Sequence, residues 1–320
     1  TDAMVLDSNS VISLSNNDGG TQDNTIFGYQ AGANLASGGS YNTLIGHDAG
    51  NDLTTGQSNV LMGYRAGDNF DTNSSNVAVG TQAMGGSADA SNCVAIGTDA
   101  LKGALGSGAN ATVAIGRNAL QSLTSGAGNV AVGYKTLSSE TAGGYNTAIG
   151  YEALETQNGV SGVVANTALG YYAGTALTTG IKNTMVGAYA GYSSLLPDNC
   201  TLVGYNAGGS GVMTASADGT VAVGMNALGN LTAGAGNTAI GFEALNGHTT
   251  GARNTVVGYR AMDGTSGATV KDSNDNTFMG YDAGGGTWTT AVCQYNVGIG
   301  NYSLDGAMNG AVQNTAVGYS

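Results

Sequence analysis

Polar and apolar positions along most of the chain follow one recurring phrase: Asn, a β-branched residue, an apolar residue, a large aliphatic residue, then Gly. It reads "GNVAVGYKTL" from 128, "YNTAIGYEAL" from 145, "ANTALGYYAG" from 165, "GNTAIGFEAL" from 236 and "RNTVVGYRAM" from 253. The closing glycines are Gly28, Gly46, Gly63, Gly80, Gly97, Gly116, Gly133, Gly150, Gly170, Gly187, Gly204, Gly224, Gly241, Gly258, Gly280, Gly300 and Gly318. Their spacing is most often 17 residues and reaches 22 between Gly258 and Gly280. A period this short cannot hold a helical hairpin and fits one coil of a β-solenoid.

Alternation along a strand sets which residues share a side. The position three before each glycine is Thr or Val, and the position directly before it is large and apolar, as in Ile45, Met62, Ile115, Leu169 and Ile240. These two share a face, which is expected to be a core. The residue between them faces the other way and is apolar too, with Ala in many units and Leu44, Met185, Val256 or Phe278 in others. Both faces are therefore expected to be buried, which a coil of about 17 residues cannot do alone. A further layer is implied, supplied by other chains or by other units of the same chain.

The glycine suits a tight corner in every coil. The leading asparagines, among them Asn146 and Asn237, suit a turn and a side-chain ladder from coil to coil. Longer steps at 97–116, 150–170, 204–224 and 258–280 come at every third unit. The residue four past the glycine groups similarly, as Leu120, Leu137 and Leu154, then Gly174, Gly191 and Gly208, then Leu228, Leu245 and Met262. A single chain that lays three units around an axis before stepping to the next layer would produce this grouping. It is the alternative to three wrapped chains. Residues 1–19 are expected to be an irregular lead-in or a degenerate first coil, and 20–320 a continuous solenoid.

The units "CVAIG" at 93–97, "TVAIG" at 112–116 and "NVAVG" at 129–133, with the fuller "TTGARNTVVGYRAM", resemble the head repeats of trimeric autotransporter adhesins and the similar repeats of phage tail fibres. The resemblance runs from about residue 20 onward. It implies a left-handed parallel β-roll, three chains about one axis, and an attachment role outside the cell, on a virion tail fibre or a cell surface. The partner it implies is the chain itself, with a receptor glycan or surface protein at presented loops. A self-assembling extracellular filament is the second reading.

Composition narrows the rest. With 8 Lys+Arg against 21 Asp+Glu and a net charge of -13, the chain has few cations to displace counterions from a phosphate backbone, so nucleic acid is not an expected partner. No apolar run reaches the length of a membrane helix, so no membrane insertion by this segment is expected. Cys93, Cys200 and Cys293 form neither a disulfide framework nor a zinc pattern and read as small buried residues.

Candidate chemistry is sparse. "DSNDN" at 272–276 begins like a calcium loop but has Thr277 where that loop needs glycine, so Asp272 and Asp275 are only a weak metal candidate and no cofactor is expected. Carboxylates recur at the second position after the glycine, as Asp48, Asp99, Glu152, Glu243 and Asp282. The same position also holds Gln30, Arg65, Lys135 and Tyr172, as a solvated site would, so no catalytic residue is assigned. Nine of the sixteen tyrosines directly follow a motif glycine, which predicts a broken aromatic stripe packed at the corners. The expected receptor contacts lie in the irregular 284–295 segment, "GGGTWTTAVCQY", with Trp288 and Tyr295. An ice-binding face is set aside because the motif threonines are expected to point inward.

Overall fold

A computed structural model describes residues 23–86, 89–264, 272–288 and 291–320. The predicted lead-in at 1–19 lies outside the described residues. Each repeat contributes one three-residue strand, and the seventeen strands form a single parallel sheet. Thr147–Ile149, for example, pairs with Val130–Val132 on one side and Thr167–Leu169 on the other, with Thr147 level with Val130 and Thr167. The register keeps every motif position directly above its counterpart. The chain is thus a parallel β-solenoid with one repeat per coil.

Strict neighbour-to-neighbour pairing removes the pseudo-threefold alternative. A chain wrapping three units per layer would pair each strand with the third one along. Here Val94–Ile96 pairs with Val113–Ile115 and Thr201–Val203 with Val221–Val223 straight across the long steps. The extra residues bulge from the far limb instead. They form single 3-10 turns at Ser107–Ala109 and Ala215–Ala217, and a two-residue strand at Gly162–Val163 that pairs with Gly143–Gly144.

Between coils the corner repeats as faithfully as the strand. Gly150 sits at φ 141, Glu152 at φ 51 and Leu154 at φ 52. A side chain on Gly150 would run into the carbonyl of Gly170 one coil on, so both the dihedral and the close approach demand glycine. Left-handed backbone at a leucine is costly, but it aims Leu154 into the interior, where it is fully buried. The corner's amides also bond along the stack: Glu152 N donates to Tyr134 O at 2.9 Å and Leu154 N to Ala173 O at 3.0 Å. Backbone polar groups are thereby satisfied without helices.

The core is one side chain wide, and this reverses the predicted facing. The middle strand residue points inward: Leu44, Leu61, Ala78, Ala148, Ala168 and Phe278 are all fully buried. The Thr/Val and large-aliphatic positions face outward, with Phe27 63% and Leu169 46% exposed. The inner residue meets the residue four past the glycine, and the two divide a fixed volume. Where that later position is Gly50, Gly67, Gly191, Gly208 or Gly284, the strand offers Leu44, Leu61, Met185, Leu202 or Phe278. Where it is Leu101, Leu120, Leu137, Leu154 or Leu228, the strand offers alanine. A Cβ on Gly191 would fall 2.7 Å from Met185 Sδ, and one on Gly284 would fall 2.7 Å from the Phe278 ring. The grouping of leucines and glycines seen in the sequence is therefore an exchange of volume across a narrow interior at native packing density, not a layer count.

Candidate interaction surface

The outward sheet face runs along all seventeen strands of the described coils. None of its seventeen strands carries a charged residue, although the chain as a whole has a net charge of -13. Neighbouring strands lie about 4.8 Å apart, so the face is roughly 77 Å long, and about 10 Å wide with its side chains. Each strand offers a Thr or Val and a large aliphatic residue to solvent. Ile96, Ile149, Ile240, Met62 and Met279 are each 38–41% exposed. The threonines lie on this outer face, so the ground for setting an ice-binding surface aside does not hold. Phe27, Met62, Leu169 and Met279 interrupt the β-branched surface with longer side chains.

Behind the sheet runs the asparagine column. Asn146 N donates to Asn129 Oδ1 at 3.0 Å, and Asn146 Oδ1 accepts from Asn166 N at 3.0 Å. Asn237 Oδ1 accepts from Asn254 N at 3.0 Å, and Asn237 Nδ2 donates to Gly251 O at 2.7 Å. All five asparagines are buried. The column is interrupted twice, by Cys93 then Thr112 and by Cys200 then Thr220. Each Sγ lies 3.5 Å from a carbonyl of the following coil. Burial pushes the Cys200 thiol up to about 11 and raises that of Cys93. All three cysteines are free and buried, so they are packing residues rather than reactive ones.

Beside the sheet, across the glycine corner, the residues after the glycines form aromatic columns. Tyr134 and Tyr151 stack at 5.0 Å with planes 26° apart, and Tyr151 continues to Tyr171 at 5.5 Å. Tyr172, Tyr189, Tyr192 and Tyr205 extend this run by edge-on and stacked contacts. Phe242, Tyr259 and Tyr281 form a second, with planes 14° and 3° apart. Tyr29, His47 and Tyr64 make a third near the first coils. In the stacked pairs Tyr134–Tyr151, Phe242–Tyr259 and Tyr259–Tyr281 the rings cover part of one another's faces, which leaves less ring face for stacking a sugar. Desolvation and the neighbouring Glu152 carboxylate hold the Tyr151 phenol above its usual range. A hydrogen bond with Tyr171 and desolvation raise Tyr172 further.

The predicted receptor contacts separate. Trp288 is not presented: it is fully buried, packs edge-on against Phe278 at 5.7 Å, and donates from Nε1 to Gly284 O at 3.0 Å. The Phe278 ring it packs against lies over Gly298, where a strand alanine would leave that ring no room. Tyr295 is exposed, at a left-handed backbone position with φ 59. The two carboxylates of the calcium-loop candidate are engaged elsewhere. Asp275 takes both Arg253 nitrogens at 2.7 and 2.8 Å, and Asp272 accepts from Thr250 Oγ1 at 2.9 Å. Asn276, between them and the sheet, belongs to the asparagine column. The acids at the second position after the glycine stand in scattered coils along one edge of the stack. Asp99 bonds Lys102 at 3.0 Å, and Arg260 approaches Glu243 at 3.6 Å.

The sequence reading missed a set of polar residues inside the far corner, seven positions past the glycine, where Leu53, Leu123, Leu177 and Leu231 stand in other coils. Glu140 is fully buried and its Oε1 accepts from the amides of Thr141, Ala142 and Gly143 at 2.9, 3.0 and 2.7 Å. Gln157 follows it one coil on and accepts from Asn166 Nδ2 at 2.9 Å. His248 occupies the same place six coils after Glu140 and is fully buried, with Nδ1 unpartnered. Their signal was present in the sequence as breaks in a leucine column.

Among the described residues no helix is long and apolar enough to cross a membrane, and no group of three His, Cys, Asp or Glu side chains is placed to hold a metal ion. No protein-family model matches the chain, and no curated protein matches its sequence.

Proposed function

We propose that this chain is a non-catalytic structural segment of an extracellular fibre, on a virion or a cell surface, built from three copies packed through their outward sheet faces. The observation that carries this reading is the uncharged, aliphatic face running the full length of the solenoid. Its area, roughly 700–800 Å² per copy, matches what one partner contributes to a stable specific interface, and depletion of charge is the mark of an interface core. Left in water, the face would exceed the roughly 300–600 Å² of the largest apolar patch on a typical monomer. Three copies rather than two, and an adhesive role for the outward loops, rest on the resemblance to adhesin heads and tail fibres.

The test is the mass in solution by light scattering on a size-exclusion column. The expected value is three times the 31.4 kDa of one chain. A variant carrying Ile149→Asp and Ile240→Asp should fall to the single-chain mass while keeping its β circular dichroism, because each substitution brings like charges together in the assembly. A native chain that runs as a monomer would refute the assembly, and growing fibres would favour the filament reading instead.

A further inference from the structure

We propose that the tyrosine columns are sites of oxidative cross-linking, at which a peroxide-driven one-electron oxidant joins phenol rings of successive coils and staples the solenoid covalently. The fold brings Tyr134 to 5.0 Å from Tyr151 and Tyr259 to 5.3 Å from Tyr281, ring centre to ring centre, the second pair with planes only 3° apart. Tyr151, Tyr259 and Tyr281 are 41–46% exposed, within reach of an oxidant in solution. The thiols and the indole that would compete as one-electron donors are withdrawn, and the exposed Met62, Met225 and Met279 would gain oxygen, a mass change opposite in sign to that of a ring-to-ring link. Cys93, Cys200, Cys293 and Trp288 are buried, leaving tyrosine as the accessible aromatic or thiol donor of the described surface. Free thiols that stay buried also leave the described coils without disulfides, so a ring-to-ring bond is the covalent link this geometry permits.

In the reaction, each of two phenols gives one electron to the oxidant and its hydroxyl proton to a nearby base. For Tyr151 the neighbouring Glu152 carboxylate is such a base. The two tyrosyl radicals join by a carbon–carbon bond between ring positions next to the oxygens. The hydrogen on each of those carbons leaves, and each oxygen regains a proton, so both phenols are restored. Hydrogen peroxide takes up the two electrons and two protons and becomes two waters. The chain loses two hydrogens per link. Because the reacting rings are held adjacent by the coil register, the bond forms within one chain at high effective concentration. This inference depends on the register alone and stands whether or not copies associate.

The experiment treats the native chain with a haem peroxidase and hydrogen peroxide, then reads dityrosine fluorescence, intact mass and cross-linked peptides. The expected result is a loss of two hydrogen masses per link, a chain that still runs at single-chain mass on a denaturing gel, and links mapping to Tyr134–Tyr151 and Tyr259–Tyr281. Tyr41, Tyr145 and Tyr295, exposed but outside the columns, serve as internal controls. In the Tyr151→Phe variant the first link should vanish and the second persist, which also shows that the variant remains folded. Links that favour Tyr41, Tyr145 or Tyr295, ladders of joined chains, or no mass change would each overturn the proposal.

Discussion

Adjacent residues of one strand should respond in opposite ways to the same charge. Ala148 is fully buried between the matching alanines Ala131 and Ala168, facing Leu154 across the core, whereas Ile149 is 38% exposed on the outer face. Ala148→Asp places a carboxylate with no cation in a space already filled. Overpacking costs about 1–3 kcal/mol and an unpaired buried charge about 3–5, so the loss should be about 4–8 kcal/mol. Ile149→Asp gives up about three-fifths of the 1.5–3 kcal/mol that full burial of an isoleucine contributes, plus up to about 1 kcal/mol of strand preference, for about 1–3 kcal/mol in all. Urea unfolding of the dilute chain, followed by circular dichroism with hydrogen exchange on the flanking coils, separates the two. Ala148→Asp should open coils on both sides, since each coil is held by its neighbours, while Ile149→Asp should lower the midpoint and raise exchange by the smaller amount, keep the flanking coils closed and lose association. If Ile149→Asp were as damaging as Ala148→Asp in the dilute chain, the facing described here would be wrong.

Other perturbations probe the remaining devices. Gly150→Ala should cost at least about 3 kcal/mol, from a strained left-handed backbone and the collision with the Gly170 carbonyl, seen as a lowered unfolding midpoint. Asn146→Ala leaves the buried amide of Asn166 without its acceptor and should cost about 1–3 kcal/mol, with Asn166 gaining exchange rate before distant coils do. His248, depressed by burial from 6.5 to about 4, binds its proton more readily in the unfolded chain. The stability it confers is therefore complete above about pH 6.5 and falls by about 3 kcal/mol as the pH drops through 4. The difference between stability–pH curves of the native chain and His248→Leu isolates this effect, and parallel curves would rule it out.

The solenoid and its period were legible because one phrase recurs at nearly constant spacing, and the residues after each glycine hold the same corner. The sign of the facing was not. Alternation fixes which residues share a side, but when both sides are apolar it cannot say which side is inside. Size misled: large residues such as Ile149 and Leu169 suggest a core, yet a coil of about 17 residues has no room for two large side chains abreast. Its interior takes Ala148 opposite Leu154, or Met185 opposite Gly191. The every-third-unit rhythm was real but reflected bulges such as Ser107–Ala109 on the far limb. Trp288 looked like a presented aromatic because a single Trp in an irregular segment carries no periodicity to reveal its direction. The aromatic columns were half legible: the tyrosines after each glycine mark the corner, while Tyr172, Tyr189 and Tyr192 join them only through the stacking of coils.

The division of interior volume has a consequence for how such a chain can change length. Most coils are of two kinds, glycine-cornered with a large strand residue and leucine-cornered with alanine, and these occur in blocks. Inserting or deleting a coil inside a block returns the same cross-section to both neighbours. At a junction the cross-sections differ, as where Ala168 faces Gly174 and the gap is closed by Met185 and Leu154 reaching in from either side. A coil added or removed there would strand those two side chains, so growth and shortening should be tolerated within blocks and resisted at their borders.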